Sequence, residues 1–245
     1  MREDYYSLYY QMERKHWWFK VRNKIIFDLA GSLAGGRKLK ILNVGAATGY
    51  TTELLAEYGE VTTVEYDKPC YEYIKTFLKG EIVNASVTDL PFADNSFDMV
   101  CAFDVIEHVK EDQLAVSELG RVCNKNGTIF ITVPAHNFLW SEHDVINHHI
   151  KRYKSQEVLK LFSNYTIIYS TYFNFFLFPP VALFRVLKTL IFGLPNVERA
   201  TSDFKSHRPT FTSRILGAVF LSENWFIKRR LSFPTGVSFL LVAGK

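Results

Sequence analysis

A length of 245 residues and a mass of 28.4 kDa suit one α/β domain with an elaboration, and a hydrophobic share of 48% excludes a disordered chain. Cys70, Cys101 and Cys123 share no CxxC or metal-ligand spacing, which argues against a disulfide scaffold and fits a reducing cytosol. The net charge of +4 conceals a split: residues 1–150 hold 15 basic and 21 acidic side chains, residues 151–245 hold 14 and 4, and 21 phenylalanines enrich the whole.

The chain opens on charges with no apolar core segment, so no secretory signal is expected. Residues 4–34 read as helix with a break near His16, because Met12, Trp17, Trp18, Val21, Ile25, Ile26 and Leu29 fall near helical spacing. Strands are expected at 39–44, 60–65, 81–84, 97–103 and 128–133, with helices at 51–58, 70–78 and 110–123, the last closed by a turn at 124–127. This alternation predicts a parallel sheet covered on both faces. Beyond Pro134 come a polar segment with four of the seven histidines, a helix at 155–163 with Ser155 as its N-cap, and a strand at 165–172. Pro179-Pro180 should interrupt the apolar stretch 174–192, 194–214 reads as a polar basic connection, 215–227 as a helix and 238–243 as a closing strand.

The first strand runs into Gly45-x-Ala47-x-Gly49, and a strand, glycine turn and helix in succession hold nucleotide-like ligands on free backbone N–H groups. A dinucleotide fingerprint needs a third glycine three residues after the second, and the pattern fails. Glu65 ends the second strand, where a carboxylate accepts two hydrogen bonds from a ribose diol; the plainer reading is a strand-end acid facing water.

Five motifs in register, ILNVGAATGY (41–50), VEYD (64–67), TDLPFADNSFDMV (88–100), FDVIEHV (103–109) and NGTIFITVP (126–134), make the chain resemble the class I S-adenosylmethionine-dependent methyltransferases over about 35–165. The resemblance implies a Rossmann-like doubly wound sheet of seven mostly parallel strands in the order 3-2-1-4-5-7-6. It also implies a cap at 1–36, a cofactor core at 37–165 and a helical insertion at 173–230. Carried over by motif, Asn43, Gly45, Ala47 and Gly49 line the turn, Glu65 binds the ribose, Tyr66, Ser86 and Val87 flank the adenine, and Asp104 lies beneath the cofactor. The family carries acids where Asn43 and Ser86 stand, so weaker cofactor binding is expected.

Residues 134–158 (PAHNFLWSEHDVINHHIKRYKSQEV) leave the carboxyl edge of the fifth strand, where ligands bind. They resemble a methyltransferase subgroup with Trp140, Asp144, His148 or His149, Arg152 and Tyr153 as its signature. That subgroup's N-terminal motif matches His16-Trp17-Trp18-Phe19 with Arg22. Trp18, Arg22, Trp140, Asp144, Arg152 and Tyr153 are therefore candidate substrate contacts. His108, His148 and His149 are the leading candidate bases among the histidines, since an imidazole titrates near neutral pH. The competing readings are a capping role for His108 and a purely structural brace of Asp144, His148, Arg152 and Tyr153. His143-Asp144 and His148-His149 bring ligand types together, but no metal pattern is matched and no metal is expected.

Residues 161–184 carry no charged side chain, yet Asn174 and the prolines break them, and 181–192 is too short to span a bilayer. That segment suits a helix on an anionic membrane face at the inner side of the cytoplasmic membrane, or a lid or dimer interface. Nucleic acid is not expected, for want of any recognition motif. The sequence thus points to methyl transfer from S-adenosylmethionine to an oxygen of a sugar, lipid-linked glycan or isoprenoid-type acceptor. A nicotinamide-dependent oxidoreductase and a non-catalytic, membrane-associated binding module are the alternatives.

Overall fold

The structure, a computed structural model, describes residues 3–195 and 210–245. Short apolar strands build a seven-stranded sheet in the order β3-β2-β1-β4-β5-β7-β6, the order implied by the sequence motifs. β1 (Leu39–Val44), β2 (Gly59–Glu65), β3 (Glu81–Asn84), β4 (Phe97–Phe103) and β5 (Cys123–Pro134) are parallel. β7 (Ser238–Gly244) lies antiparallel between β5 and β6 (Thr166–Phe173).

Side chains alternate across a strand, so each central strand feeds two cores. Leu42, Val100, Ile129 and Ile131 pack with α5 (Asp112–Val122) and α7 (Ser155–Leu161) on one face. Ile41, Met99, Phe130 and Leu240 pack on the other face with Ile25, Ile26 and Leu29 of α2 (Trp17–Ala34) and Phe220 and Ile227 of α9 (Phe211–Lys228). Burying such a side chain is worth about 1.5–3 kcal/mol, which holds both helical layers to the sheet. The remaining helices are α1 (Glu3–Lys15), α3 (Tyr50–Leu55), α4 (Lys68–Lys75), α6 (Glu142–Ile146) and α8 (Phe178–Phe192). His16 breaks the N-terminal helix as expected, its Nδ1 accepting from the Trp18 N–H to cap α2.

Three local expectations are corrected. Asn124 to Gly127 do not form a turn but extend β5, and the Lys245 N–H reaches the Gly127 carbonyl (3.3 Å). Ser155 is the first residue of α7 rather than its cap; its N–H is donated to the Tyr172 hydroxyl (3.0 Å), while Lys154 takes the cap position and the Glu157 carboxylate accepts from its N–H (2.7 Å). Pro179 and Pro180 begin a helix instead of breaking one, because first-turn residues need no N–H donor. Most of the 194–214 connection, with Arg199, Lys205 and Arg208, lies outside the described residues.

Glu223 on α9 is fully buried, with one oxygen accepting from the Phe176 N–H (2.9 Å) and the other unpartnered. Burial pushes its carboxyl from 4.5 up to about 7. The folded state therefore holds this proton more tightly than the unfolded state, and stability contributed by Glu223 falls as pH rises from 4.5 through about 7. Urea denaturation of Glu223→Gln should show the wild-type loss of stability between mildly acidic and mildly alkaline pH reduced by about 2–3 kcal/mol; an unchanged pH dependence would refute this.

Candidate functional site

The turn after β1 is bent by left-handed backbone at Gly45 (φ 72°), Ala47 (φ 48°) and Gly49 (φ 81°). A Cβ at Gly45 would sit 2.5 Å from the Val105 side chain, so that position admits only glycine without rearrangement. The Ala47 N–H donates to Glu65 Oε2 (3.0 Å) and the Asp67 N–H to Oε1 (2.9 Å). Glu65 thereby ties the turn to the end of β2, and each of its oxygens has capacity for another donor. Burial pushes the Glu65 carboxyl pKa upward against those backbone hydrogen bonds. Asn43 is used differently: its amide donates to the hydroxyls of Thr51 (2.9 Å) and Thr52 (2.8 Å), and its Oδ1 is buried without a partner.

A cavity of about 1460 Å³ opens over this turn at the carboxyl edge of β1 and β4, the switch point where the strand order reverses and ligands bind in such sheets. Of the sequence-expected cofactor residues, Gly45, Ala47, Glu65, Tyr66, Ser86, Val87 and Asp104 line it, whereas Asn43 and Gly49 stand behind the wall. Tyr66 is 76% exposed, and Ser86 Oγ pairs with Thr88 Oγ1 (2.7 Å). His108, His148, His149, Trp18, Arg22 and Arg152 line the same cavity; Trp140, Asp144 and Tyr153 do not.

Arg22 is the roof tie. Its Nη2 donates to Asp104 Oδ2 (2.6 Å) and to Thr132 Oγ1 (2.9 Å), and its Nη1 to Asn23 Oδ1 (3.1 Å). Asp104 is itself held in left-handed backbone (φ 56°) at the end of β4, the kind of strain that persists where surroundings over-determine it.

The insert is organised by Asp144. Its carboxylate accepts from Arg152 Nε (2.8 Å) and Nη2 (3.0 Å), from the Ser141 N–H (2.8 Å), and contacts His149 Nδ1 (2.8 Å). Although burial acts in the opposite direction, His149 and Arg152 together hold the carboxyl well below the usual range. His149, not His148, completes this brace, and Tyr153 is a core residue whose hydroxyl donates to Ile106 O (3.1 Å) and contacts Asp112 (3.0 Å). Burial, then the neighbouring His149, push the His108 imidazole down to about 4.

Two cavity residues escaped the sequence reading. Glu13 of α1 reaches over the glycine turn and accepts from the Thr48 hydroxyl; burial pushes its carboxyl up to about 7. No sequence signal marks it, since its position depends on how α1 docks. Glu107, fully buried beside His108, was visible inside the FDVIEHV motif but carried no assigned role. Replacing Arg152 by methionine leaves Asp144 charged and buried without its main partner. Arg152→Met should lower unfolding stability by about 3–5 kcal/mol in chemical denaturation, and a loss below about 1 kcal/mol would show that the insert does not depend on this pair.

Residues 42–131 match the family of methyltransferase domains. Over 125 residues the chain is 26% identical to a probable S-adenosylmethionine-dependent methyltransferase of Mycobacterium tuberculosis, covering 50% of this chain and 44% of that protein. A demethylmenaquinone methyltransferase of Clavibacter sepedonicus is 35% identical over 97 residues, 38% of this chain and 40% of that one. The chain thus spans less than half the length of these curated relatives. In fold it is similar to a chain from the Haloferax volcanii complex of the Trm112 methyltransferase activator, with a TM-score of 0.58, 15% identity, and 95% and 91% of the two chains covered. The matched domain, the strand order and the glycine turn tied to a strand-end glutamate agree: residues 42–131 are similar to the methyltransferase domains, and they sit in a sheet of the Rossmann-like methyltransferase order.

Proposed function

We propose that this chain transfers a methyl group from S-adenosylmethionine to an oxygen of a small acceptor with an apolar part, of the lipid-linked glycan or isoprenoid-quinone class. The observation that carries the reading is one continuous cavity. It joins Glu65 and the glycine turn to a polar wall of Arg22, His108 and His148, and to an apolar wall of Trp17, Leu177, Val181 and Leu216. A demethylmenaquinone methyltransferase among the relatives supports an apolar-tailed acceptor.

The residues fit the cofactor. Glu65 offers two oxygens to the ribose hydroxyls, and Ser86 and Val87 meet the adenine edge. Glu13 takes the cofactor's ammonium, supplying from the N-terminal helix the negative charge that Asn43 lacks. When bound, S-adenosylmethionine supplies a methyl carbon on a sulfonium: the O–C bond forms as the C–S bond breaks, and the electron pair stays on sulfur. The imidazoles of His108, His148 and His149 face the same space; His148, which stands outside the Asp144 brace, takes the acceptor's proton. Arg22 and the aromatic residues of α2 position the acceptor and exclude water.

Delivery from a membrane surface is favoured by α8, on which Leu183, Leu187, Leu190, Ile191 and Phe192 are exposed. No described helix is long and apolar enough to cross a membrane, which leaves α8 to lie along the surface. Vesicle co-sedimentation tests this: wild type should pellet with anionic vesicles and Leu190→Glu should not, and equal behaviour would reject membrane docking.

Calorimetry with S-adenosylmethionine and S-adenosylhomocysteine tests the cofactor assignment. Glu65→Gln and Glu13→Gln should each weaken binding by about tenfold or more, the loss of one charge-assisted hydrogen bond. Wild-type affinity should rise as pH passes upward through the Glu13 value near 7, and Glu13→Gln should abolish that rise. Stabilisation by NAD(P) with no binding of either methionine derivative would sink the proposal.

A further inference from the structure

The polar wall of the cavity contains a constellation that displacement from a sulfonium does not require. Glu107 lies in the short helical turn after β4, fully buried, and neither of its carboxylate oxygens has a hydrogen-bond partner. Burial, then the neighbouring Asp104 carboxylate, push the Glu107 carboxyl well above its ordinary range, so this group holds a proton unless a cation takes the proton's place. Two imidazoles stand beside it: one ligand atom each from Glu107, His108 and His149 lies within 4.8 Å of the others. All three residues also line the cavity, so an ion between them would be reachable by a bound acceptor.

Both imidazoles are held as metal ligands are held. His149 Nδ1 lies 2.8 Å from Asp144, which leaves Nε2 for a second partner, and Asp144 is fixed in turn by Arg152 and Ser141. A carboxylate behind a histidine sets its tautomer and raises its basicity toward a metal. The His108 ring hydrogen-bonds to the His148 main chain, which leaves its other nitrogen for a ligand bond. The two rings meet edge to face at 4.7 Å between centroids, and the Ile150 N–H donates to the Glu107 carbonyl (2.8 Å), so the insert is pinned to the β4 end where the ligands converge.

We propose that Glu107, His108 and His149 bind a divalent transition-metal cation of the Zn²⁺ or Mn²⁺ type, with open coordination positions facing the cavity. Two imidazoles and one carboxylate suit these ions, whereas Ca²⁺ and Mg²⁺ favour all-oxygen sets. The open positions take oxygen ligands, and the fitting acceptor presents a hydroxyl, alone or beside a second oxygen as in a sugar diol. An ion held there would act as a Lewis acid toward that hydroxyl, and His148, which lines the cavity outside the ligand set, would take its proton. This role in the reaction rests on the methyl-transfer reading; the binding of the cation does not. The sequence reading expected no metal; the ligands proposed here converge from segments separated by some forty residues and match no linear pattern.

The test uses the full chain freed of metal by dialysis against a chelator. Calorimetry with Zn²⁺ and Mn²⁺ should show one saturable site, and the Co²⁺-loaded protein should show the visible d–d bands of an imidazole-ligated ion. Glu107→Gln and His149→Gln should weaken binding about tenfold or more, and Asp144→Asn about 10–100-fold through loss of the carboxylate behind His149. S-Adenosylhomocysteine binding, measured on the same samples, should persist in Glu107→Gln and shows that the variant is folded. Cation binding without S-adenosylhomocysteine binding would overturn the methyltransferase reading and leave the metal site standing. A wild-type chain with no saturable cation binding and only the weak spectrum of hydrated Co²⁺ would overturn the site, as would folded variants that bind as tightly as wild type.

Discussion

A guanidinium taken out of water must find its counter-charge, and much of this structure follows from how Arg22 does so. Arg22 sits on an N-terminal helix, far in sequence from Asp104 and Thr132, yet it is buried and hydrogen-bonded to both. That contact fastens α2 across the ends of β4 and β5 and turns the N-terminal segment into the roof of a cavity. With the roof in place, α1 is carried over the glycine turn, where Glu13 meets Thr48 and Tyr6 meets Asp67. The same contact holds the Asp104 backbone in its left-handed conformation, and the short turn bearing Glu107 and His108 starts from there.

Asp144 plays the corresponding part in the insert. A carboxylate with no exposure is stable only when its lone pairs are filled, and Arg152, Ser141 and His149 fill them. The result is a rigid block whose polar centre is spent on structure, while the far side of His149 faces the cavity. Structural and chemical readings of this segment are therefore not rivals. The brace is what gives an imidazole a fixed direction, and a fixed direction is what a base or ligand requires.

The uneven charge along the chain has a tertiary meaning. Basic residues of the second part reach acids of the first: Lys188 to Glu142, Lys151 to Asp112 and Lys228 to Asp28. These are partly exposed pairs, each worth little in stability, but they fix orientation. On α8, Lys188 and Arg185 both turn toward the insert, Arg185 donating to the Leu139 carbonyl, and the opposite face of that helix is left apolar. Part of this positive charge is thus spent on contacts within the fold, and the exposed face of α8 is apolar.

The strands and the glycine turn were legible in the sequence because they rest on local rules: alternating burial, left-handed glycine at a tight turn, an acid at a strand end; the strand order followed only from the family resemblance of the motifs. Of the residues that the motifs at 41–50, 64–67 and 103–109 carried over, Gly45, Ala47, Glu65, Tyr66 and Asp104 line the cavity, and Asn43 and Gly49 do not. Pro179-Pro180 misled because a proline pair both ends and begins helices, and only the surrounding packing chooses. Glu13, the pairing of His149 rather than His148 with Asp144, and the meeting of Glu107 with two histidines were decided by tertiary structure alone. Each depends on a contact between segments distant in sequence, and no local propensity encodes which side chain a buried charge will find.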